Sequence, residues 1–340
     1  MGRMGHKFDV GKIPMGLLAN LLERYAGVDP RIVVGAKVGE DAAVIDMGDR
    51  YLVVKSDPIT FVTEDLGYYA VNVNANDIAT CGAIPRWFLA TLLLPDQGVS
   101  EEMLEGIFRQ IAMACQALNI ALVGGHTEIT YGLDRPIISG HMLGEVAKDS
   151  LVTTAGAKPG DIIILTKGIC IEGTSIIART KADDLRQRGY TPEEIKKARD
   201  FLFHPGISVV KDALTACQAG RVTSMHDPTE GGLATALHEL AQAARVGIMI
   251  EADNIPIFPE SAALCKEYSL DPLGTISSGA LLITLPPPGA ELVLTALARE
   301  NIPAASIGRI TAKRGEILLR HRDGASPLPI FERDEITKIF

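Results

Sequence analysis

One segment, residues 65–87, combines the spacing of a helix with side chains that helices seldom hold in their interior. Its apolar residues recur at helical intervals, and nothing interrupts the run before Gly82. Asn and Asp compete with the backbone for hydrogen bonds, so an otherwise apolar helix that keeps several of them gives them partners. Two interpretations are equally open: a buried polar network between helices, or a helix face that offers polar groups to a ligand. The polar side chains in question are Asn72, Asn74, Asn76 and Asp77.

The length and charge of the chain narrow the classes of function. A single core seldom grows beyond roughly 250–300 residues, so 340 residues predict two domains. A net charge of −9 and an aromatic content of 5% argue against a nucleic-acid partner. No apolar run reaches the ~18 residues of a membrane span, and residues 1–10 lack the apolar core of a signal peptide. We therefore expect a cytoplasmic protein without a membrane segment.

Strands and helices alternate along the first part of the chain. A turn at residues 39–41 runs into an apolar strand, and a second strand covers residues 51–55. The second strand is followed by the sequence SDP, so we expect the carboxylate of Asp57 at a strand end, a common place for ligand-binding side chains. A further strand at residues 120–123 runs into GGHTE. This alternation predicts an α/β domain.

A segment rich in small residues, Gly and Pro lies at residues 151–161. It predicts a boundary between two domains, at 1–155 and 156–340. In the second domain, Asp227 is predicted to open a helix that carries Gly231 and Gly232 in its first turn. Free N–H groups and the positive end of the helix dipole favour anions at such a turn. A capping Asp and a tight packing contact would explain the same residues structurally.

Several common site motifs are absent from the sequence. It contains no P-loop, no GxGxxG at a helix start, no GxSxG and no HExxH. His126, His141 and His226 share no ligand spacing and are not predicted to form a metal set. What remains is a group of acids at turns and on the polar helix, and oxygen ligands of this kind suit Mg²⁺ with substrate phosphates. These acids are Asp41, Asp57, Asp77 and Asp227.

Five segments follow one another in an order that is found in a single superfamily. Together they resemble the aminoimidazole-ribonucleotide (AIR) synthetase superfamily, which includes thiamine-monophosphate kinase, selenophosphate synthetase and the hydrogenase maturation protein HypE. The resemblance is greatest to HypE, with local similarity to the other two. The segments are GEDAAVI (39–45), KSDP (55–58), NDIATCGAIP (76–85), LVGGHTE (122–128) and HDPTEGGLATAL (226–237).

The resemblance implies an α/β (α+β) chain of two domains. The N-terminal domain would bind ATP and dimerise, its sheet joining that of a second copy into a dimeric β-barrel. The C-terminal domain would hold a mixed sheet flanked by helices. ATP would lie between the domains, with Mg²⁺ bridging its phosphates. The γ-phosphoryl group would phosphorylate an acceptor, or activate its amide or carbonyl oxygen, and the acceptor would be a small molecule or a group on a partner protein.

The resemblance also implies roles for individual residues. The Mg²⁺ ligands would be Asp41, Asp57, Asp77 and Asp227. Asp57 and Asp77 would act in catalysis. From its own position, Lys12 is a further catalytic candidate, since a lysine beside a glycine at a helix start can meet a phosphate; a solvated surface lysine would explain the same residue. Asn76 would support Asp77, and Gly124, Gly125 and Thr127 would line the phosphate channel. The nucleotide would be surrounded by Gly39, Asp41, Lys55, Asn76, Gly124, Gly125, His126, Thr127, Glu128, Gly231 and Gly232.

Two features depart from the family pattern. HypE ends in a cysteine that carries the carbamoyl group, whereas this chain ends in EITKIF and its last cysteine is Cys265. An acid usually follows the glycine pair, and His126 stands there in this chain. Two classes of function therefore stay open. One is an ATP-dependent enzyme, either HypE-like or similar to thiamine-monophosphate kinase, and the other is a nucleotide-binding maturation or assembly partner without turnover. The complete set of four acids favours the enzyme.

Overall fold

The computed structural model describes residues 13–37, 40–60 and 62–340. Strands and helices alternate along the first part of the chain, as the sequence predicts. Its elements are α1 (Met15–Tyr25), β1 (Ile32–Val34), β2 (Ala43–Asp46), β3 (Arg50–Ile59), α2 (Leu66–Thr80), β4 (Ile84–Pro95), α3 (Glu101–Ala117), β5 (Ala121–Thr130) and β6 (Ile137–Ala147).

The second part of the chain begins its own sheet after residue 161. Its elements are β7 (Ile162–Thr166), α4 (Ile171–Thr180), α5 (Ala182–Gln187), α6 (Pro192–Arg199), α7 (Val210–Ala219), β8 (Ser224–His226), α8 (Gly232–Ala244), β9 (Gly247–Glu251), α9 (Pro259–Glu267), β10 (Leu282–Leu285), α10 (Pro287–Arg299), β11 (Ala304–Thr311), β12 (Ile317–His321) and β13 (Gly324–Pro327). No helix among the described residues is long and apolar enough to cross a membrane.

The first sheet has the strand order β1-β2-β3-β6-β4-β5. Side chains alternate between its two faces, and one face is buried against α2. β6 shows this most clearly, since its even-numbered residues from Ile138 to Val146 are buried and the odd-numbered ones between them are half-exposed. The opposite face carries half-exposed apolar residues such as Leu52, Leu93 and Leu143.

Helix α2 is the helix that the polar segment predicts, and it is buried on nearly all sides. It packs on α3, on β3 and β6, and on α7 of the second part of the chain. Two glycines of β6 permit the close approach: a Cβ at Gly140 would lie 2.3 Å from Asn74 Nδ2, and one at Gly144 would lie 2.3 Å from Ile78 Cγ2. The hydrophobic core around α2 continues without a break into α7 and α10.

The second sheet has the order β13-β12-β9-β11-β7-β10-β8. It is mixed, because β12 runs parallel to β9 while the other neighbouring strands described in the sheet are antiparallel. One of its faces packs on α4, α8 and α9, and the other packs on α7 and α10. A mixed sheet flanked by helices is therefore confirmed. The C-terminal 3₁₀ turn, Glu335–Ile339, lies on the α4 side.

Three segment predictions are wrong in detail. β3 runs on to Ile59, so Asp57 lies within the strand. Beyond Val54, β6 is the one strand of the described residues that pairs with β3, so this part of β3 is a sheet edge. A proline such as Pro58 is tolerated at a sheet edge. β5 includes the whole GGHTE sequence, because it pairs with β4 as far as Thr130. α8 begins at Gly232 and not at Asp227.

Candidate functional site

Four acidic side chains from four separate segments meet where α2 faces both sheets. Asp41 precedes β2, Asp57 lies in β3, Asp77 lies in α2, and Asp227 follows β8. The Lys55 ammonium joins two of them, since its Nζ lies 3.3 Å from Asp57 Oδ2 and 3.2 Å from Asp77 Oδ2. Asp41 and Asp227 place carboxylate oxygens within 4.8 Å of each other. The structure thus brings the predicted Mg²⁺ ligands together.

The asparagine side chain at the centre of α2 fixes the strand that carries Asp57. Asn74 Oδ1 accepts the Asp57 backbone N–H at 2.8 Å. Its Nδ2 donates to the Asp57 carbonyl at 3.2 Å and to the Ala70 carbonyl at 2.9 Å. Asn74 is fully buried, and all its hydrogen bonds go to backbone groups. Its role is to position β3, which leaves the Asp57 carboxylate free to face the cluster.

Asn76 was expected to support Asp77, but the structure gives it a different role. Its Nδ2 donates to the Ile207 carbonyl and its Oδ1 accepts the Val209 N–H, both at 2.8 Å. Both ends of the amide are therefore used by a loop of the second part of the chain. For these asparagines the structure supports the interpretation as a buried polar network, whereas Asp77, one position later, faces the acidic cluster.

The charges of the cluster do not balance. Asp77 is 5% exposed, and burial raises its pKa well above the usual range; Lys55 opposes this shift, while the carboxylates of the other three acids add to it. Burial and the charge of Asp41 likewise raise the pKa of Asp227 to about 7. Burial and this excess of carboxylates thus raise the pKa of Asp77 and of Asp227 and favour their protonated forms. A divalent cation would remove that imbalance.

His226 also belongs to the cluster, although its spacing in the sequence does not predict a metal ligand. Its Nδ1 lies 3.0 Å from Asp41 Oδ1, and its Nε2 lies 2.9 Å from Glu239 Oε2. Burial acts to lower the imidazole pKa, but the two carboxylates outweigh burial and raise it well above 6.5. The ring nitrogens could otherwise complete a metal-binding group with Asp41 and Asp227. With both nitrogens engaged, His226 instead acts as a cation that orients Asp41.

The donor set of the cluster fits Mg²⁺. Its side chains offer carboxylate oxygens from several segments, the ligands that hard cations prefer. Asp77 Oδ2 is buried and accepts no hydrogen bond from the described residues; its close neighbour is the Lys55 ammonium. A buried oxygen without a hydrogen-bond donor is costly and is the kind of group that an ion satisfies.

The glycine pair and the polar residues after it do not reach this cluster in the single chain. Gly125 pairs with Ala90, which pairs with Gly140 and through it with Asp57. Three strand spacings, about 14 Å, therefore separate Gly125 from Asp57. A Cβ at Gly125 would lie 2.0 Å from the Ala90 carbonyl oxygen, so close strand packing explains this glycine. The whole predicted set lies on the exposed edge strand β5: Gly124, Gly125, His126, Thr127 and Glu128.

His126 and Glu128 point away from the acids. His126 pairs with Thr91 and through it with Ser139, and these residues lie on the sheet face opposite to α2. The His126 Nε2 lies 3.0 Å from Glu128 Oε2, and both side chains are exposed. In the single chain, this pair is a surface contact.

The start of α8 is capped from within the chain. The Gly231 N–H donates to Asp334 Oδ2 at 2.6 Å, and the Ile276 N–H donates to Asp334 Oδ1 at 3.2 Å. A Cβ at Gly232 would lie 2.6 Å from the Thr275 carbonyl oxygen. The structural explanation of the two glycines therefore fits, with Asp334 in the place predicted for Asp227. Two other predicted residues, Lys12 and Gly39, lie outside the described residues.

Comparisons with known proteins agree with the fold. The N-terminal domain of "AIR synthase related protein" matches residues 39–146, and its C-terminal domain matches residues 158–320. A thiamine-monophosphate kinase of Pyrococcus abyssi is 30% identical over 84% of this chain and 86% of its own length. A carbamoyl dehydratase HypE of Rhizobium leguminosarum bv. viciae is 28% identical over 81% of this chain and 78% of its own length.

A solved structure supports the same fold. The hydrogenase maturation protein HypE in complex with ATP superposes with a TM-score of 0.71, at 23% identity, over 96% of this chain and 98% of its own. At this identity the likeness concerns the fold. Both family domains match in order, the 30% identical relative is covered over most of its length, and the fold agrees. The chain therefore belongs to the AIR synthase related protein family.

Proposed function

We propose that this protein is an ATP-dependent enzyme that binds Mg–ATP at the acidic cluster and uses the γ-phosphoryl group to phosphorylate or activate an acceptor. The observation that carries the proposal is the meeting of four carboxylates from both parts of the chain around the buried Asp77, whose Oδ2 has the Lys55 ammonium as its close neighbour. Positioning and neutralisation of charge provide most of the catalysis in phosphoryl transfer, and this arrangement can supply both.

In the proposed reaction the acids, the lysine, the histidine and the asparagines have different tasks. Asp41, Asp57, Asp77 and Asp227 would hold Mg²⁺, which supplies charge neutralisation at the phosphates when bound. Lys55 is well placed to move from Asp57 to a phosphate oxygen, since its ammonium already lies between two carboxylates. His226 keeps Asp41 ionised, because its charge lowers the pKa of that carboxyl despite burial. Asn74 and Asn76 hold the strand and the loop around the site.

We propose a HypE-like reaction as the first candidate, and a kinase similar to thiamine-monophosphate kinase as the second. A nucleotide-binding partner without turnover is less favoured, because it would not need the complete set of acids. A cytoplasmic location and domains at 1–155 and 156–340 are part of the proposal.

Binding of ATP is expected to require Mg²⁺. Isothermal titration calorimetry of the protein with ATP should show saturable binding with Mg²⁺ present, and an affinity at least about tenfold weaker with excess EDTA, because the carboxylates repel the phosphates when no metal lies between them. ADP release should be measured in the same buffers, with and without candidate acceptors. Equal ATP binding with and without Mg²⁺, or no binding at all, would contradict the proposal.

We further propose that the protein forms a homodimer through its first sheet. Strand β5 is exposed on both faces, with Val123 54% and Ile129 62% exposed, and its outer edge pairs with no strand of the described residues. Long open edges of this kind are normally covered. Light scattering is expected to give about twice the chain mass of 36.3 kDa at micromolar concentration. The variant Thr127→Pro, which breaks the β5 edge, should shift the equilibrium toward monomer. A stable wild-type monomer would refute the dimer.

A further inference from the structure

The first and second parts of the chain form a cleft at the N-terminal end of α2. Its volume is about 760 Å³, within the roughly 300–1,000 Å³ of clefts that hold small molecules. Asp65, which lines the cleft, directly precedes α2, and Asp77 follows twelve residues later, about 18 Å along the helix. The cleft and the acidic cluster therefore lie toward opposite ends of α2, and the proposed function gives the cleft no role.

Two arginines that line the cleft converge on one carboxylate oxygen. Arg179 Nη1 lies 2.7 Å from Glu64 Oε2, and Arg199 Nη2 lies 3.2 Å from the same oxygen. Arg179 is fixed further by Asp65, whose Oδ2 lies 2.8 Å from Nη1, and by Ser175 Oγ, which accepts from Nε at 3.1 Å. Two guanidinium groups that face one oxygen form a binding point for an oxyanion. We call Arg179 and Arg199 the arginine clamp.

Glu64 is a weakly held occupant of the arginine clamp. It lies in the segment between β3 and α2, and 59% of its side chain is exposed. Its Oε2 makes both contacts with the clamp, while its Oε1 contacts no cation of the described residues. Ion pairs with an exposed partner are weak, because water competes for the charged groups. An oxyanion of a ligand can therefore replace the Glu64 carboxylate between the two arginines.

The polar groups around the clamp have donors to spare for such a ligand. A guanidinium carries five N–H donors, and neither Arg179 Nη2 nor Arg199 Nη1 donates to a described residue. Gln110 also lines the cleft, and its Oε1 accepts the Gly67 N–H at 3.0 Å. The NH₂ group of Gln110 donates to no residue that the structure describes. A surplus of donors favours a ligand group that is rich in acceptors, as phosphate and carboxylate are.

The rest of the lining restricts the body of the ligand. Two further cations of the cleft are already paired, Arg186 with Asp183 and Lys196 with Asp200. They leave the arginine clamp as the main binding point for an anion. Another part of the lining is apolar and suits an apolar body more than a second charged group. Its side chains are Met103, Ile107, Pro136, Pro192 and Ile195.

We propose that this cleft binds a small molecule with a phosphate or carboxylate group on an apolar body, and that the oxyanion lies between Arg179 and Arg199 in the place of Glu64. The Gln110 amide donates to a second oxygen of the same group. Because the walls of the cleft come from both parts of the chain, the ligand joins the two parts and stabilises the folded protein. The site is separate from the acidic cluster and does not depend on the proposed function.

Phenyl phosphate and benzoate are the probes, and benzyl alcohol is their uncharged counterpart. Binding is measured by isothermal titration calorimetry with EDTA and without ATP, since the metal-free acidic cluster then repels anions. Wild type should bind phenyl phosphate, benzoate or both with a Kd of about 1 mM or below, the range expected for ligands of this size. Benzyl alcohol should bind at least about tenfold more weakly, because it lacks the oxyanion. Binding of one anion alone supports the site and assigns the oxyanion.

Variants of the clamp and of its occupant should change the affinity in opposite directions. Arg199→Ala should weaken binding of the anionic probe about tenfold or more, because half of the clamp is lost. Glu64→Gln should strengthen it about twofold to fivefold, because the competing carboxylate is removed. Lys197→Ala and Glu193→Gln are the matched controls, since both residues are exposed on α6 and do not line the cleft. Both controls should bind like wild type.

The inference is overturned if wild type binds neither anion, or if benzyl alcohol binds as tightly as they do. It is also overturned if Arg199→Ala binds like wild type, or if Lys197→Ala weakens binding as much as Arg199→Ala does, since the effect then reflects general charge. The melting temperature of each variant checks its fold. If Arg199→Ala does not fold, Glu64→Gln decides, and an unchanged affinity of that variant overturns the inference.

Discussion

Replacing Asp57 with Asn is expected to reduce ATP turnover roughly a hundredfold or more while the fold stays intact, the range seen when a metal ligand or a charge-stabilising group is removed. The fold should survive because the Asp57 side chain is 36% exposed and supports no core. Asn74 holds Asp57 through backbone groups alone, and an Asn at this position keeps those groups. The loss should appear mainly in the chemical step, since a metal ligand matters most when charge develops at the phosphates.

Turnover is measured as ADP release from Mg–ATP, and the melting temperature of each variant reports the fold. Asp134→Asn is a suitable control, because Asp134 lies in the same part of the chain just before β6, is 84% exposed and pairs only with its neighbour Arg135 among the described residues. It should turn over ATP like wild type. Equal rates for Asp57→Asn and Asp134→Asn would remove Asp57 from the proposed site.

The sequence predicts elements and candidate site residues correctly where a local pattern determines them. The period of residues 66–80 is enough to predict α2, and four asparagine and aspartate side chains within it are enough to expect buried partners. The acids Asp41, Asp57, Asp77 and Asp227 stand out because each ends or interrupts an apolar segment. That all four meet was predicted only through the resemblance, because contacts between residues 16 to 186 positions apart leave no trace in local spacing.

The predictions that were wrong share this cause, a contact between residues that are distant in the sequence. No local sequence pattern shows that the Asn76 amide forms hydrogen bonds with the backbone of residues 207–209. Nor does a local pattern show that Asp334, and not Asp227, accepts the hydrogen bond from the N–H at the start of α8. His226 was set aside for lack of ligand spacing, although its partners Asp41 and Glu239 come from other segments. The strand predicted at residues 120–123 stops before GGHTE, yet pairing with β4 continues it through that sequence to Thr130. In each case a tertiary contact overrides a local preference.

Asp77→Ala should separate a ligand-binding role of α2 from a purely structural one. If Asp77 only served the buried network, its removal would leave a polar group without a partner and cost roughly 1–3 kcal/mol in the free energy of unfolding. The structure favours a different result. Burial, together with the charges of three other carboxylates, raises the pKa of Asp77, and Lys55 keeps Asp57 as a partner when Asp77 is removed. The metal-free variant should therefore melt at the wild-type temperature or slightly above it.

The stabilisation by Mg–ATP should change in the opposite sense. In wild type, a hundredfold excess of ligand over its Kd is expected to stabilise the fold by roughly 2.7 kcal/mol, and in Asp77→Ala most of this should be lost. Thermal melts of both proteins, each with EDTA alone and with Mg–ATP, measure the two effects together. Asn74→Ala serves as the comparison for a structural role, because Asn74 binds only backbone groups: it should melt lower in EDTA and still respond to Mg–ATP. If Asp77→Ala behaves like Asn74→Ala in both respects, α2 carries no metal ligand and the acidic cluster must bind its ion, if any, without it.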